Sequence, residues 1–119
     1  MTTLFALVKQ SPECTALLGE AMTRFFEFGT APQLEALPYA TWQIVGTDPY
    51  NQLSDPAPAD HITAQIDVWA ESPAINRAVT KAIRRAVEND GFITYVEQGF
   101  DKESKLYRSI THYQYIEEV

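Results

Sequence analysis

The stretch Ala59-Asp-His-Ile-Thr-Ala-Gln-Ile-Asp-Val-Trp-Ala-Glu-Ser-Pro-Ala-Ile-Asn-Arg-Ala-Val-Thr-Lys-Ala-Ile-Arg-Arg-Ala-Val-Glu88 decides the fold. Its hydrophobic period changes once, from two to about 3.6. Up to Glu71 the apolar residues alternate. Ile62, Ala64, Ile66, Val68 and Ala70 share one face, and Thr63, Gln65, Asp67, Trp69 and Glu71 share the other. That pattern predicts a strand with one buried and one mostly wet face. Ser72-Pro73 then opens a helix, Ser as N-cap and Pro at the first helical position, where its missing N–H costs nothing. Ile75, Val79, Ala82, Ile83, Ala86 and Val87 stripe that helix at spacings of three and four.

Downstream, Asn89-Asp90-Gly91 reads as a turn, Phe92–Gln98 as a strand, Gly99–Ser104 as a second turn and Lys105–Ile116 as the last strand. Tyr107, Ser109, Thr111, Tyr113 and Tyr115 alternate there with Leu106, Arg108, Ile110, His112, Gln114 and Ile116. Both faces are mixed, so alternation does not say which is buried. Upstream, Leu4, Phe5, Leu7 and Val8 begin a short amphipathic helix, which Ser11-Pro12-Glu13 restarts and Gly19 stops. Met22–Phe28 reads as a strand, 29–37 as a loop, and Tyr39–Val45 as a stronger strand rich in β-branched and aromatic residues. Residues 47–60 carry three prolines and three acids without a period, which predicts a long loop between strands. Tyr50 and Leu53 are its apolar residues and its candidate docking anchors.

The element order predicts a single α+β domain over residues 1–119. It has a mainly antiparallel sheet of four to five strands with two helices packed on one face. A chain of 119 residues, 45% hydrophobic and 12% aromatic, suits one globular core. No apolar run approaches the ~20 residues that cross a bilayer, and the N-terminal segment lacks the basic region of a signal peptide. A single cysteine, Cys14, permits no internal disulfide, as expected in a reducing cytoplasm.

Sixteen acids against nine bases give a net charge of −7, which argues against ordinary nucleic-acid binding. The charge is also segregated. Arg77, Lys81, Arg84 and Arg85 place four of the nine bases on the central helix. Such a face either is simply solvated, with cations near the helix C-terminus, or matches an acidic surface on a partner, including a second copy.

Catalytic constellations are hard to find. His61 and His112 lie on different predicted strands without further ligands at metal-binding spacing. Cys14 has no neighbouring base or cation to activate it. Ser72 lacks a nucleophile elbow, and the five glycines form no phosphate loop. Asp67 and Glu71 are four strand residues apart, ~13 Å, too far for a retaining or inverting carboxylate pair, and read as solvated acids. The expectation is a protein that is not an enzyme and needs no metal or cofactor.

Several segments, in order, carry a family resemblance: Thr15-Ala-Leu-Leu-Gly19; Ala31-Pro32-Gln33 leading to Leu37-Pro38-Tyr39-Ala-Thr-Trp-Gln-Ile; Ala64-Gln65-Ile66-Asp67-Val68-Trp69-Ala70; and Asp101-Lys-Glu-Ser-Lys-Leu-Tyr107-Arg108. Over about 100 residues these resemble the tail-completion, or tail-terminator, proteins of long-tailed bacteriophages, prophages and gene-transfer particles. The resemblance implies a virion protein made in the host cytoplasm and seated at the head-proximal end of the tail. It implies a ring, usually of six subunits, that ends tail-tube polymerisation and presents a surface to a head-closure or connector protein. Its partners would then be copies of itself, the tail-tube protein and that connector, with DNA passing through the lumen unbound and no membrane involved. Arg77, Lys81 and Arg84 join Tyr50 and Leu53 as expected subunit contacts. Pro38, Gln65, Asp67, Trp69, Tyr107 and Arg108 fall in the family-like segments and are expected to be structural. A head-closure or other minor tail protein, or a small ligand-binding or adaptor domain, would share the architecture.

Overall fold

The structure is a computed structural model that describes residues 3–28, 36–50 and 59–118. The chain runs α1 (Thr3–Lys9), α2 (Pro12–Leu18), β1 (Phe25–Glu27), β2 (Tyr39–Tyr50), β3 (Ala59–Ala70), α3 (Pro73–Val87), β4 (Phe92–Asp101) and β5 (Leu106–Glu118). The strands form one sheet in the order β1-β2-β3-β5-β4.

Connectivity explains this order. β3 and β4 run in the same direction, because both are antiparallel to β5. Parallel strands need a crossover, and α3 supplies it across one sheet face. The hairpin from β4 then returns β5 into the gap beside β3, which leaves β4 at the sheet edge.

Both Ser-Pro pairs act as sequence predicts. Ser11 accepts a hydrogen bond from Cys14 N, and Ser72 accepts one from Ile75 N, each at 3.2 Å. Pro12 separates α1 from α2, so among the described residues the sheet carries three helices on one face rather than two. Gly19 closes α2 at φ +108°, a conformation that favours glycine, and a Cβ there would lie 2.5 Å from the Met22 carbonyl oxygen.

The alternation in β3 holds: Ile62, Ala64, Ile66, Val68 and Ala70 are all buried under the helices. In β5 it is the Tyr107/Ser109/Thr111/Tyr113/Tyr115 face that turns to the helices, and Ser109, Thr111, Tyr113 and Tyr115 are buried. The polar atoms on that face are mostly met. Asn76 Nδ2 donates to the carbonyls of Val68 and Tyr107, both at 3.0 Å, and so bridges β3 and β5. Thr80 donates to the Asn76 carbonyl at 2.8 Å and shares a 2.7 Å hydrogen bond with Ser109.

Four expectations need correction. Residues 47–50 and 59–60 are strand rather than loop, because β2 and β3 stay paired as far as Tyr50 and Ala59 beyond an irregularity between Ile44 and Gly46. Residues 51–58, with Leu53, lie outside the described residues, as does the Tyr50 side chain. β1 covers only Phe25–Glu27 and pairs parallel with β2, not antiparallel. β4 continues through Gly99 to Asp101, and the turn shrinks to 102–105. Ile75 is exposed, while Asn76 and Thr80 take the buried positions of α3, because hydrogen bonds to strand backbone and to Ser109 offset their desolvation.

Tyr113 and Tyr115 separate a satisfied hydroxyl from an orphaned one. Tyr113 OH donates to the Val87 carbonyl at 2.9 Å, whereas Tyr115 OH is buried without a partner among the described residues. Tyr113→Phe should therefore cost about 1 kcal/mol in urea denaturation, and Tyr115→Phe nothing or less. Burial pushes both phenols up to about 12 from 10. A raised folded value favours the neutral form, so this stability is intact below about pH 10 and is lost as pH rises towards 12. Melting temperatures should accordingly fall across that alkaline window.

Candidate functional site

Three surface features are distinctive. The first lies on the sheet face that no described helix covers. Asp67 and Trp69 point there from β3, and Arg108 from β5. Asp67 is buried, which corrects its reading as a solvated acid, whereas Glu71 is exposed as expected. An Asp67 oxygen lies 2.6 Å from an Arg108 terminal nitrogen. Gln65 Nε2 donates to the other carboxylate oxygen at 3.0 Å. The Arg108 guanidinium sits 4.8 Å from the centre of the Trp69 ring, and Tyr39 stacks against Trp69 at 6.4 Å.

Period two explains the grouping. Residues 65, 67 and 69 lie two apart on one strand, and the register sets Trp69 opposite both Tyr39 and Arg108. The structure thus unites Gln65, Asp67, Trp69 and Arg108. Tyr107 faces the opposite side, edge-on to Phe100 at 5.2 Å. Pro38, after a cis bond from Leu37, offers its carbonyl to Arg24 Nε at 2.8 Å. Arg24 also donates to the Leu17 carbonyl at 3.2 Å, joining α2 to the approach to β2.

The second feature is β4. Among the described residues nothing pairs with its outer side. Nearly all its side chains are exposed, including the apolar Phe92, Tyr95, Val96 and Phe100; Ile93 alone packs against the core. A long apolar edge strand invites pairing with another chain. Nothing in residues 92–98 read alone could reveal this. A dense β-branched and aromatic run reads equally well as a central strand, and only the topology puts it outside.

The wall above β4 is basic. Asn76 and Thr80 fix which side of α3 meets β5, and Arg85 reaches the other way to an ion pair with Glu13 of α2. At 3.6 residues per turn, Arg77, Lys81 and Arg84 fall on the flank overhanging β4, and all three are exposed. A cleft of about 210 Å³ lies at the foot of this wall, lined by Pro73, Asn76, Gln98, Gly99, Phe100, Tyr107 and Arg108.

The third feature lies at the far edge, beside β1. Met22 and Phe28 are 67% and 61% exposed there, next to the exposed acids Glu20 and Glu27.

His61 and His112 are half-buried at separate places, His112 against the Tyr95 ring at 5.3 Å. No metal-ligating cluster occurs among the described residues. Cys14 is fully buried, and burial raises its thiol pKa, so the nucleophilic thiolate is disfavoured.

Comparison with known proteins gives a consistent answer. Residues 2–118 match the family described as tail completion protein gp17. No curated protein matches the chain in sequence. A chain from a structure titled "Virion of native gene transfer agent (GTA) particle" superposes with a TM-score of 0.75 at 13% identity. The alignment covers 98% of this chain and 92% of that one, a likeness of fold.

The Asp67–Arg108 pair is testable on its own. Removing one partner strands the other, at a cost below that of a fully buried pair because the Arg108 side chain is 35% exposed. Asp67→Ala should destabilise by about 2 kcal/mol. Asp67→Ala/Arg108→Met should cost less than the sum of its two single changes, since Arg108 Nε is already buried without a partner among the described residues. A double-mutant cycle in urea measures the difference.

Proposed function

Because the chain belongs to the tail completion protein gp17 family, we propose that it acts as a structural protein of a phage-type virion that closes the head-proximal end of the tail. In this reading copies associate into a closed ring, of six as the resemblance implies. The ring stops the tail tube from growing and gives the head-closure or connector protein a surface to bind. The likeness of fold to a chain of a gene transfer agent virion supports a place in such a particle.

The observation that carries the proposal is the apolar edge of β4, which nothing among the described residues covers. A protein that worked alone would be expected to blunt such an edge with charge, proline or a covering loop. A protein that works in an assembly uses it. The acidic balance of the chain suits a passage for DNA, since a wall of like charge does not grip the polymer.

Particles made without this protein should carry overlong or ragged tubes and heads without tails, as counted by negative-stain electron microscopy. Supplying the protein in trans should restore tails of uniform length. Normal joined tails in its absence would overturn the proposal.

A further inference from the structure

The two sheet edges differ in a way that makes them complementary. The β4 edge is apolar below and basic above, with Val96 and Phe100 on the same side of the sheet as Arg77, Lys81 and Arg84. The β1 edge is apolar and carries the exposed acids Glu20 and Glu27, with a base among them, Lys9, whose Nζ donates to the Glu20 carbonyl at 2.7 Å. Met22 and Phe28 are exposed there, and Glu27 projects to the helix side of the sheet, as its register opposite Trp42 requires. The order β1-β2-β3-β5-β4 places these edges at opposite ends of one sheet. A contact between unlike patches on opposite sides of a molecule is head-to-tail, and it closes into a ring when the rotation per copy permits.

The geometry points to the β4 edge of one copy seating against the β1 edge of the next, with the α3 bases over the neighbour's Glu20 and Glu27. The occupant of the edge is thus a second copy of this chain. Two observations favour it over an unrelated acidic protein. The chain carries its own acidic, apolar patch of matching character, and that patch lies where a head-to-tail contact needs it. Stacked in this way, the helix layers fall on one side of the growing sheet and the Asp67–Arg108–Trp69 face on the other. The contact is directional: β4 meets β1 and never β4. It rests on the ring reading and names the surfaces that build the ring.

Complementing lesions test it. Val96→Glu/Phe100→Glu spoils the β4 edge with acids that repel Glu20 and Glu27. Met22→Ser/Phe28→Ser spoils the β1 edge. All four side chains are exposed, and circular dichroism with thermal melting verifies folding. Native mass spectrometry at a concentration where the wild type assembles should show each variant alone as a monomer. An equimolar mixture should give a heterodimer and nothing larger, because only one intact pair of unlike edges remains.

Self-association of the β1-edge variant through β4 would overturn the pairing. So would rings formed by either folded variant alone. In both cases wild-type rings would leave the ring reading standing. A wild type that stays monomeric in solution and on purified tail ends would refute the ring reading, and the pairing with it.

Discussion

The Asn76 carboxamide organises the molecule. By donating to the carbonyls of Val68 on β3 and Tyr107 on β5 it fastens the crossover helix across the two central strands, and the Thr80–Ser109 hydrogen bond repeats the tie one turn later. Asn76, Thr80 and Ser109 are all buried, so each of these bonds exchanges solvation for a satisfied partner, and breaking one would leave polar groups stranded. Fixing α3 over β3 and β5 has a second consequence. The helix cannot also cover β4, whose apolar side chains remain in the open. The interaction that stabilises the fold is therefore also the one that leaves an edge available for assembly.

Much of this was legible in the sequence. The change of period at Ser72-Pro73 defines the β3–α3 unit, and the alternation of residues 62–70 names its buried face correctly. Three things were not legible, each for a physical reason. The ends of β2 and β3 lie in a proline- and acid-rich segment where pairing between strands overrides weak local propensity. Asn76 and Thr80 lie outside the apolar stripe, and their partners on β5, the Tyr107 backbone and Ser109, are 31 and 29 residues further along the chain. A polar pair at i and i+4 beside Val79 and Ile83 is the signal that could have suggested a buried network. Asp67 looked solvated because the cation that holds it is 41 residues away.

The candidate surfaces divide the same way. Arg77, Lys81 and Arg84 stood out from charge segregation alone, and the structure adds what they overhang. Gln65, Asp67, Trp69 and Arg108 were singled out by family likeness, and the register of β3 against β5 gathers them into one cluster. That cluster lies on a sheet face that no described helix covers: a charge pair braced by an aromatic stack. The β4 edge, by contrast, depends on topology and could not be read from residues 92–101 in isolation.

Assembly through the sheet edge is the central claim, and amide hydrogen exchange of β4 reads it most directly. An edge strand with its outer side open exchanges quickly in the separate chain. In the assembled protein, the account predicts strong slowing at the outward-facing amides of residues 92–101, with little change in β3, which is already paired on both sides. Exchange in β4 that is equally fast in separated and assembled protein would contradict it.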